Sequence, residues 1–139
     1  MKFKDLNARE HIFELDTTYK VKEEDNARSG AQFKLGALLC KLYGRNNVFE
    51  DYPLPCCGNL SWDFWIPHRR LGFEFHGRQH FEFVPFFHET KAGFRKQLTA
   101  DDKKQKIADL NEVTLIVLQE DDFTDWTVDE LKRLIEERI

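Results

Sequence analysis

The 139-residue sequence predicts an α/β fold, a mixed four-stranded sheet flanked by helices. Three observations predict it. The runs SWDFWI (61–66) and LGFEFH (71–76) alternate with period 2 on either side of a basic turn, as half-buried hairpin strands do. Leu35, Leu38, Leu39 and Leu42 recur at i, i+3, i+4 and i+7, and Val128, Leu131, Leu134 and Ile135 form a second helical stripe. TLIVLQ (114–119) is a continuous apolar run, which suits a buried strand.

Residues 1–27 are polar and irregular in pattern. HIFEL and TYKV are expected to form short strands of a hairpin, and KEEDNARSG reads as a linker. A helix follows over 29–43, with Ser29 as N-cap and Gly44 as its stop. NVFEDYPL (47–54) predicts a strand closed by Pro53 and Pro55. The hairpin comes next, then an aromatic connection, FEFVPFFH (81–88), expected to pack against the sheet or to stack on bases. Residues 89–111 predict a long polar helix on which Gln97, Asp101 and Lys104 form one stripe. An ordinary solvated helix with i, i+4 pairs has the same pattern. After the apolar strand, Asp121, Asp122 and Asp125 end the run, and Thr127 with Glu130 predicts a capping box for the last helix.

Composition excludes several classes. Three cysteines, Cys40, Cys56 and Cys57, are an odd count with one adjacent pair, which is neither a disulfide framework nor a paired CxxC zinc site. Cys40 reads as helix-core filling; a structural metal on Cys56, Cys57 and histidines is a distant alternative. The N-terminus is charged and polar, unlike a signal peptide, and no apolar run approaches the ~20 residues that span a bilayer. An intracellular, cytoplasmic location without membrane contact is expected. Net charge is −4, but it is unevenly spread: residues 68–106 hold 9 basic and 5 acidic side chains, and 107–139 hold 3 and 10. The basic excess coincides with the hairpin. Phosphate attraction is local at screening lengths of about 8 Å, so DNA is admitted as a partner.

The chemistry is expected on the hairpin. With a two-residue loop at His68-Arg69, Asp63 lies directly across from Glu74. Trp62, Phe64 and Ile66 then share one face, and Ser61, Asp63 and Trp65 the other; Leu71, Phe73 and Phe75 oppose Gly72, Glu74 and His76. Opposed carboxylates repel unless a cation lies between them. Hard divalent ions take carboxylate oxygens together with water and phosphate. Asp63 and Glu74 are therefore the expected metal ligands, Mg²⁺ the expected ion and Mn²⁺ its expected substitute. His76, Gln79 and His80 follow within a few residues. The bland alternative puts both acids on a solvated sheet face with Arg69, Arg70 or Arg78 as neighbours.

These residues also carry a resemblance. WDFWIP, LGFEFHGRQHF, FVPFF, a helix with DDKKQK and NEVTLIVL resemble a group of phage and mobile-element nucleases of the PD-(D/E)XK, restriction-endonuclease-like superfamily. That group is similar to the very-short-patch-repair and related homing endonucleases. The likeness runs over about residues 29–120, in order and nearly without gaps. It implies a restriction-endonuclease-like core over 28–139, preceded by an extension over 1–27. It implies a Mg²⁺-dependent endodeoxyribonuclease leaving 5′-phosphate and 3′-hydroxyl ends. By position, Asp63 and Glu74 match the metal-binding acids, Gln79 and His80 the GxQH pair, and Asp101 and Lys104 the helix aspartate and lysine. His76 or His80 would be general base or water-orienting group, and Gln79 would position water or phosphate. Arg69, Arg70, Arg78, Arg95, Lys96 and Lys104 would contact DNA. The chain departs from the group at Ala31-Gln32, where a helix glutamate is frequent, and at Leu98 and Ala100. It also has His76 where the wider superfamily has a strand lysine. The alternative function is a non-catalytic DNA-binding or assembly module that keeps the nuclease fold. A monomer that nicks and a homodimer that cuts both strands are both compatible with the sequence, and a phage-encoded enzyme would act in the host cytoplasm.

Overall fold

A computed structural model describes residues 1–55, 57–77 and 91–139, the side chains of 91–99 excepted. The expectations for Cys56, Arg78, Gln79, His80 and 81–88, and for the side chains of Arg95, Lys96, Gln97 and Leu98, lie outside the described residues.

The chain is a mixed α/β protein with a four-stranded mixed sheet. Strands β3 (Phe49–Pro53), β4 (Ser61–Ile66), β5 (Leu71–His76) and β6 (Thr114–Gln119) lie side by side in that order. β3, β4 and β5 are antiparallel neighbours, and β6 runs parallel to β5. A parallel neighbour requires a crossover, and helix α2 (Lys91–Leu110) lies in that connection. Helix α1 (Gly30–Tyr43) starts where expected, with the Ser29 hydroxyl accepting from Gln32 N–H. It stops at Gly44, whose φ of 93° suits glycine. Helix α3 (Val128–Arg138) closes the chain.

Both faces of the sheet are covered. Leu35, Leu38 and Leu39 of α1 and Leu131, Leu134 and Ile135 of α3 pack with Phe64, Ile66, Leu71, Phe73, Ile116 and Leu118. On the other face Ile107 and Ala108 of α2 and Phe3 of the N-terminal hairpin pack with Trp62, Trp65, Phe49 and Tyr52.

The predicted register of the central hairpin holds: Ile66 pairs with Leu71, Trp65 with Gly72 and Phe64 with Phe73. Arg70 N–H bonds to the Pro67 carbonyl at 3.1 Å, leaving His68 and Arg69 as the central turn residues. The predicted faces of β4 hold only in part. Trp62 packs with Trp65, three residues on, and not with Phe64 and Ile66. On β3, Phe49 and Tyr52 likewise share a cluster. The cause lies between them. The β3–β4 ladder skips the facing residues Asp51 and Asp63, and Asp51 has a left-handed φ of 50°. Strict alternation ends where the backbone leaves the pleat, so both strands change face at their aspartates. Gly72 accommodates the displaced indole: a Cβ there would lie 3.3 Å from Trp62 Cδ2 and 3.1 Å from Leu115 Cδ1.

Other expectations are corrected. The N-terminal hairpin pairs β1 (Lys2–Lys4) with β2 (Glu10–Ile12); of TYKV, only Lys20 forms a bridge, to Phe49. Among the described residues β6 is an edge strand, with Thr114, Val117 and Gln119 exposed and a neighbour on one side. The capping box is half formed. Thr127 accepts from Glu130 N–H, but the Glu130 carboxylate serves the N–H groups of Thr124, Asp125 and Trp126 instead. Among the described residues no helix is long and apolar enough to cross a membrane.

Leu39 is fully buried between α1 and the sheet. Leu39→Ala is expected to cost about 2–5 kcal/mol in urea unfolding, the range for a core leucine whose cavity does not collapse.

Candidate functional site

The β4–β5 ladder opens one step beyond Phe64 and Phe73, and two side chains take the place of the missing backbone bonds. Asp63 N–H donates to Glu74 Oε2 at 3.0 Å, and Phe75 N–H donates to Asp63 Oδ2 at 2.7 Å. Both carboxylates are buried, at 5% and 2% exposure, which excludes the solvated sheet face. Two buried acids in contact require counter-charge. Lys104 of α2 supplies it to Glu74 Oε1, with Nζ at 2.6 Å; Arg28, just before α1, supplies it to Asp63 Oδ1, with its guanidinium at 3.4 Å. Arg28 also pairs with Asp51, which pairs in turn with Lys22.

The period-2 face of β5 carries Gly72, Glu74 and His76 toward α2, and the helical spacing of Asp101 and Lys104 brings both down onto it. One cleft of about 160 Å³ is lined by Arg28, Asp63, Glu74, His76, Asp101 and Lys104, with Phe75 and Ala100. Within it, one ligating atom each of Glu74, His76 and Asp101 lie within 4.8 Å of one another. Two carboxylates and an imidazole are a donor set for a divalent cation; the oxygens suit Mg²⁺ or Mn²⁺, and the nitrogen suits the transition metals.

Burial, and then the adjacent Asp63 charge, push the Glu74 carboxyl up to about 8, against the opposing pull of Lys104. Burial pulls the Arg28 guanidinium down, but Asp63 and Asp51 outweigh it and hold the group above its ordinary value.

The expected residues divide by place. Asp63, Glu74, His76, Asp101 and Lys104 converge in the cleft. Arg69 and Arg70 sit at the turn, Arg70 roughly 13 Å from Glu74 along the strand at ~3.3 Å per residue and Arg69 one residue further. Arg69 lies over the Tyr43 ring at 5.9 Å, and Arg70 donates to the Asn111 carbonyl, tying the turn to the α2–β6 loop. Among the described residues, the acids' cationic neighbours are thus Arg28 and Lys104, not Arg69 or Arg70. Sequence reasoning missed Arg28 and Asp51. Arg28 stood in an apparent linker, and nothing in a linear pattern marks it. Asp51 had one signal, an acidic pair inside an otherwise apolar strand. The side-chain amide of Gln32 donates to Glu50 Oε2 of β3 at 3.1 Å, and both side chains are buried.

Comparison with known proteins finds relatives among iridescent viruses. The chain is 43% identical over 58 residues to uncharacterized protein 307L of Invertebrate iridescent virus 6, which is 42% of this chain and 29% of that protein. It is 38% identical over 115 residues to uncharacterized protein 033L of Invertebrate iridescent virus 3, covering 73% of this chain and 59% of that protein. The chain thus spans less than two thirds of the length of either relative. No family model and no solved structure matches.

The Glu74 shift gives a pH signature. Its folded value of about 8 lies above the ordinary 4.5, so the folded state holds an extra proton between the two. Its contribution to stability is whole below pH 4.5 and is lost as pH rises toward 8, with a limiting slope of about 1.4 kcal/mol per pH unit. Metal-free protein is expected to show a falling urea midpoint between about pH 5 and about pH 8, and Glu74→Gln to flatten that fall. Equal slopes in the two proteins would mean that Glu74 is ionised throughout and held by Lys104.

Proposed function

We propose that the chain is a metal-dependent DNA endonuclease with a restriction-endonuclease-like core. The observation that carries the proposal is the convergence of Glu74, His76 and Asp101 to within 4.8 Å, beside Asp63 and Lys104 in one cleft. Glu74, His76 and Asp101 would hold the ion. Bound there, a divalent cation would supply charge stabilisation at phosphorus and a bound water of lowered pKa. Asp63 aligns the site by taking the Phe75 N–H, which keeps the two strands apart where the donors meet. Lys104 faces the same cleft and would offset phosphate charge once Glu74 turns to the ion. A ring nitrogen committed to the ion cannot take a proton, so His76 reads as ligand; the base is then sought among residues such as His80, with Gln79 positioning water or phosphate. The mixed donor set suits Mn²⁺ at least as well as Mg²⁺.

A second reading has its own observation. Lys104 on Glu74 and Arg28 on Asp63 already neutralise two of the acids. A non-catalytic DNA-binding or assembly module retaining the fold would keep such pairs permanently.

Supercoiled plasmid incubated with wild type, Asp63→Ala, Glu74→Ala and His76→Ala separates the two readings. The nuclease reading expects nicking or linearisation in Mn²⁺ and Mg²⁺, none in EDTA, and a loss of at least about 10²-fold in each variant, as for removal of a key electrostatic group. Nicked product alone indicates a monomer cutting one strand; early linear product indicates a homodimer. DNA shifted in a gel but uncut in either metal would establish the binding module. Cleavage at the wild-type rate by Asp63→Ala or Glu74→Ala would sink the proposed site.

A further inference from the structure

We infer that Arg28 is a substrate-binding residue of this cleft, a guanidinium held ready for a phosphodiester of the DNA backbone. The inference rests on the nuclease reading and deepens it. Arg28 lines the cleft with Glu74, His76, Asp101 and Lys104, yet its side chain is 52% exposed, so it stands at the rim. It is held in place before any ligand arrives. Asp51 takes one terminal nitrogen, and Asp63 lies 3.4 Å from the other. Lys22 pairs with Asp51 from the other side and fixes that anchor. A guanidinium carries five N–H donors in a planar fork that matches phosphate oxygens, and two carboxylate contacts leave donors over. Arg28 and Lys104 thus reach the acids from two different elements of the fold.

Charge points the same way. Among the described residues, Lys22, Arg28 and Lys104 stand against Asp51, Asp63 and an ionised Glu74. A divalent ion on the triad would add two positive charges beside that set, which favours an anionic ligand such as a phosphodiester. Arg28 is the cation of this set that is both tethered to two acids and half exposed.

The test is binding of a labelled duplex oligonucleotide to the full chain in Ca²⁺ and in EDTA, across a salt series, with wild type, Arg28→Met, Arg28→Gln and Arg28→Lys. A phosphate contact contributes about 0.9 to the slope of log K against log salt. Arg28→Met and Arg28→Gln are expected to weaken binding several-fold and lower the slope by about that amount in Ca²⁺. Arg28→Lys should keep the slope but not the full affinity. If Arg28→Met does not fold, Arg28→Gln, which can still hydrogen-bond Asp51, gives the same reading. An unchanged slope in a folded variant, with wild type cutting plasmid, would overturn this inference alone and make Arg28 a brace between β3 and β4. Failure of wild type both to bind and to cut would instead overturn the nuclease reading, and this inference with it.

Discussion

The site depends on a gap in the β4–β5 ladder. Where Asp63 and Glu74 face each other, the backbone does not close its hydrogen bonds; each carboxylate accepts an N–H from the opposite strand instead. A buried N–H must find a partner, and a short acidic side chain can supply one when the strands part. The gap leaves two carboxylates in a nearly water-free place, and such groups need cations. Arg28 and Lys104 answer that need from opposite ends of the sequence, and the cleft forms between them. The same positions disturb the neighbouring ladder. Asp51 leaves the pleat opposite Asp63, and both strands change face there, which seats Trp62 against Trp65 over Gly72.

The rest of the fold holds this gap in place. α1 and α3 cover one face of the sheet with leucine and isoleucine. α2 divides its labour along its length. Its C-terminal part packs Ile107 and Ala108 against the tryptophans, while Asp101 and Lys104, one to two turns earlier, reach the strand carboxylates. Apolar burial at one end of the helix therefore sets the height of the polar groups at the other. Arg70 and Asn111 lock the far end of the hairpin: the Asn111 side chain bonds Lys4 in the N-terminal hairpin, and its carbonyl accepts from Arg70. These ties are mechanical, and they explain why a basic turn at Arg69-Arg70 contributes to the frame and not to the cleft.

Much of this was legible in linear sequence because it depends on local rules. Ser29, Gly44 and the leucine spacing between them define α1 by capping and period. The hairpin register follows from a two-residue turn between alternating runs, and it places Asp63 opposite Glu74 without any knowledge of the rest of the chain. By periodicity alone Asp101 and Lys104 were legible as a stripe, since helical spacing says which residues share a face but not which face meets the sheet; their place beside the acids was an expectation from resemblance. Trp62 was misplaced because alternation assumes an unbroken pleat, and the break comes from a left-handed residue on a different strand. β6 read as buried because an apolar run carries no mark of being at a sheet edge.

The sequence by itself determined the element order from α1 onward, the Ser29 and Thr127 N-caps, the hairpin register and the facing pair of acids, because each arises from interactions among residues close in the chain. Only the tertiary structure decided which cations answer those acids, that His76 and Asp101 join Glu74, and that Asp51 and Arg28 belong to the same cleft. Those choices come from strand order and from the crossover that lays α2 over β5. Charges distant in sequence are brought together by the burial of apolar surface elsewhere, and a linear pattern contains no term for that distance.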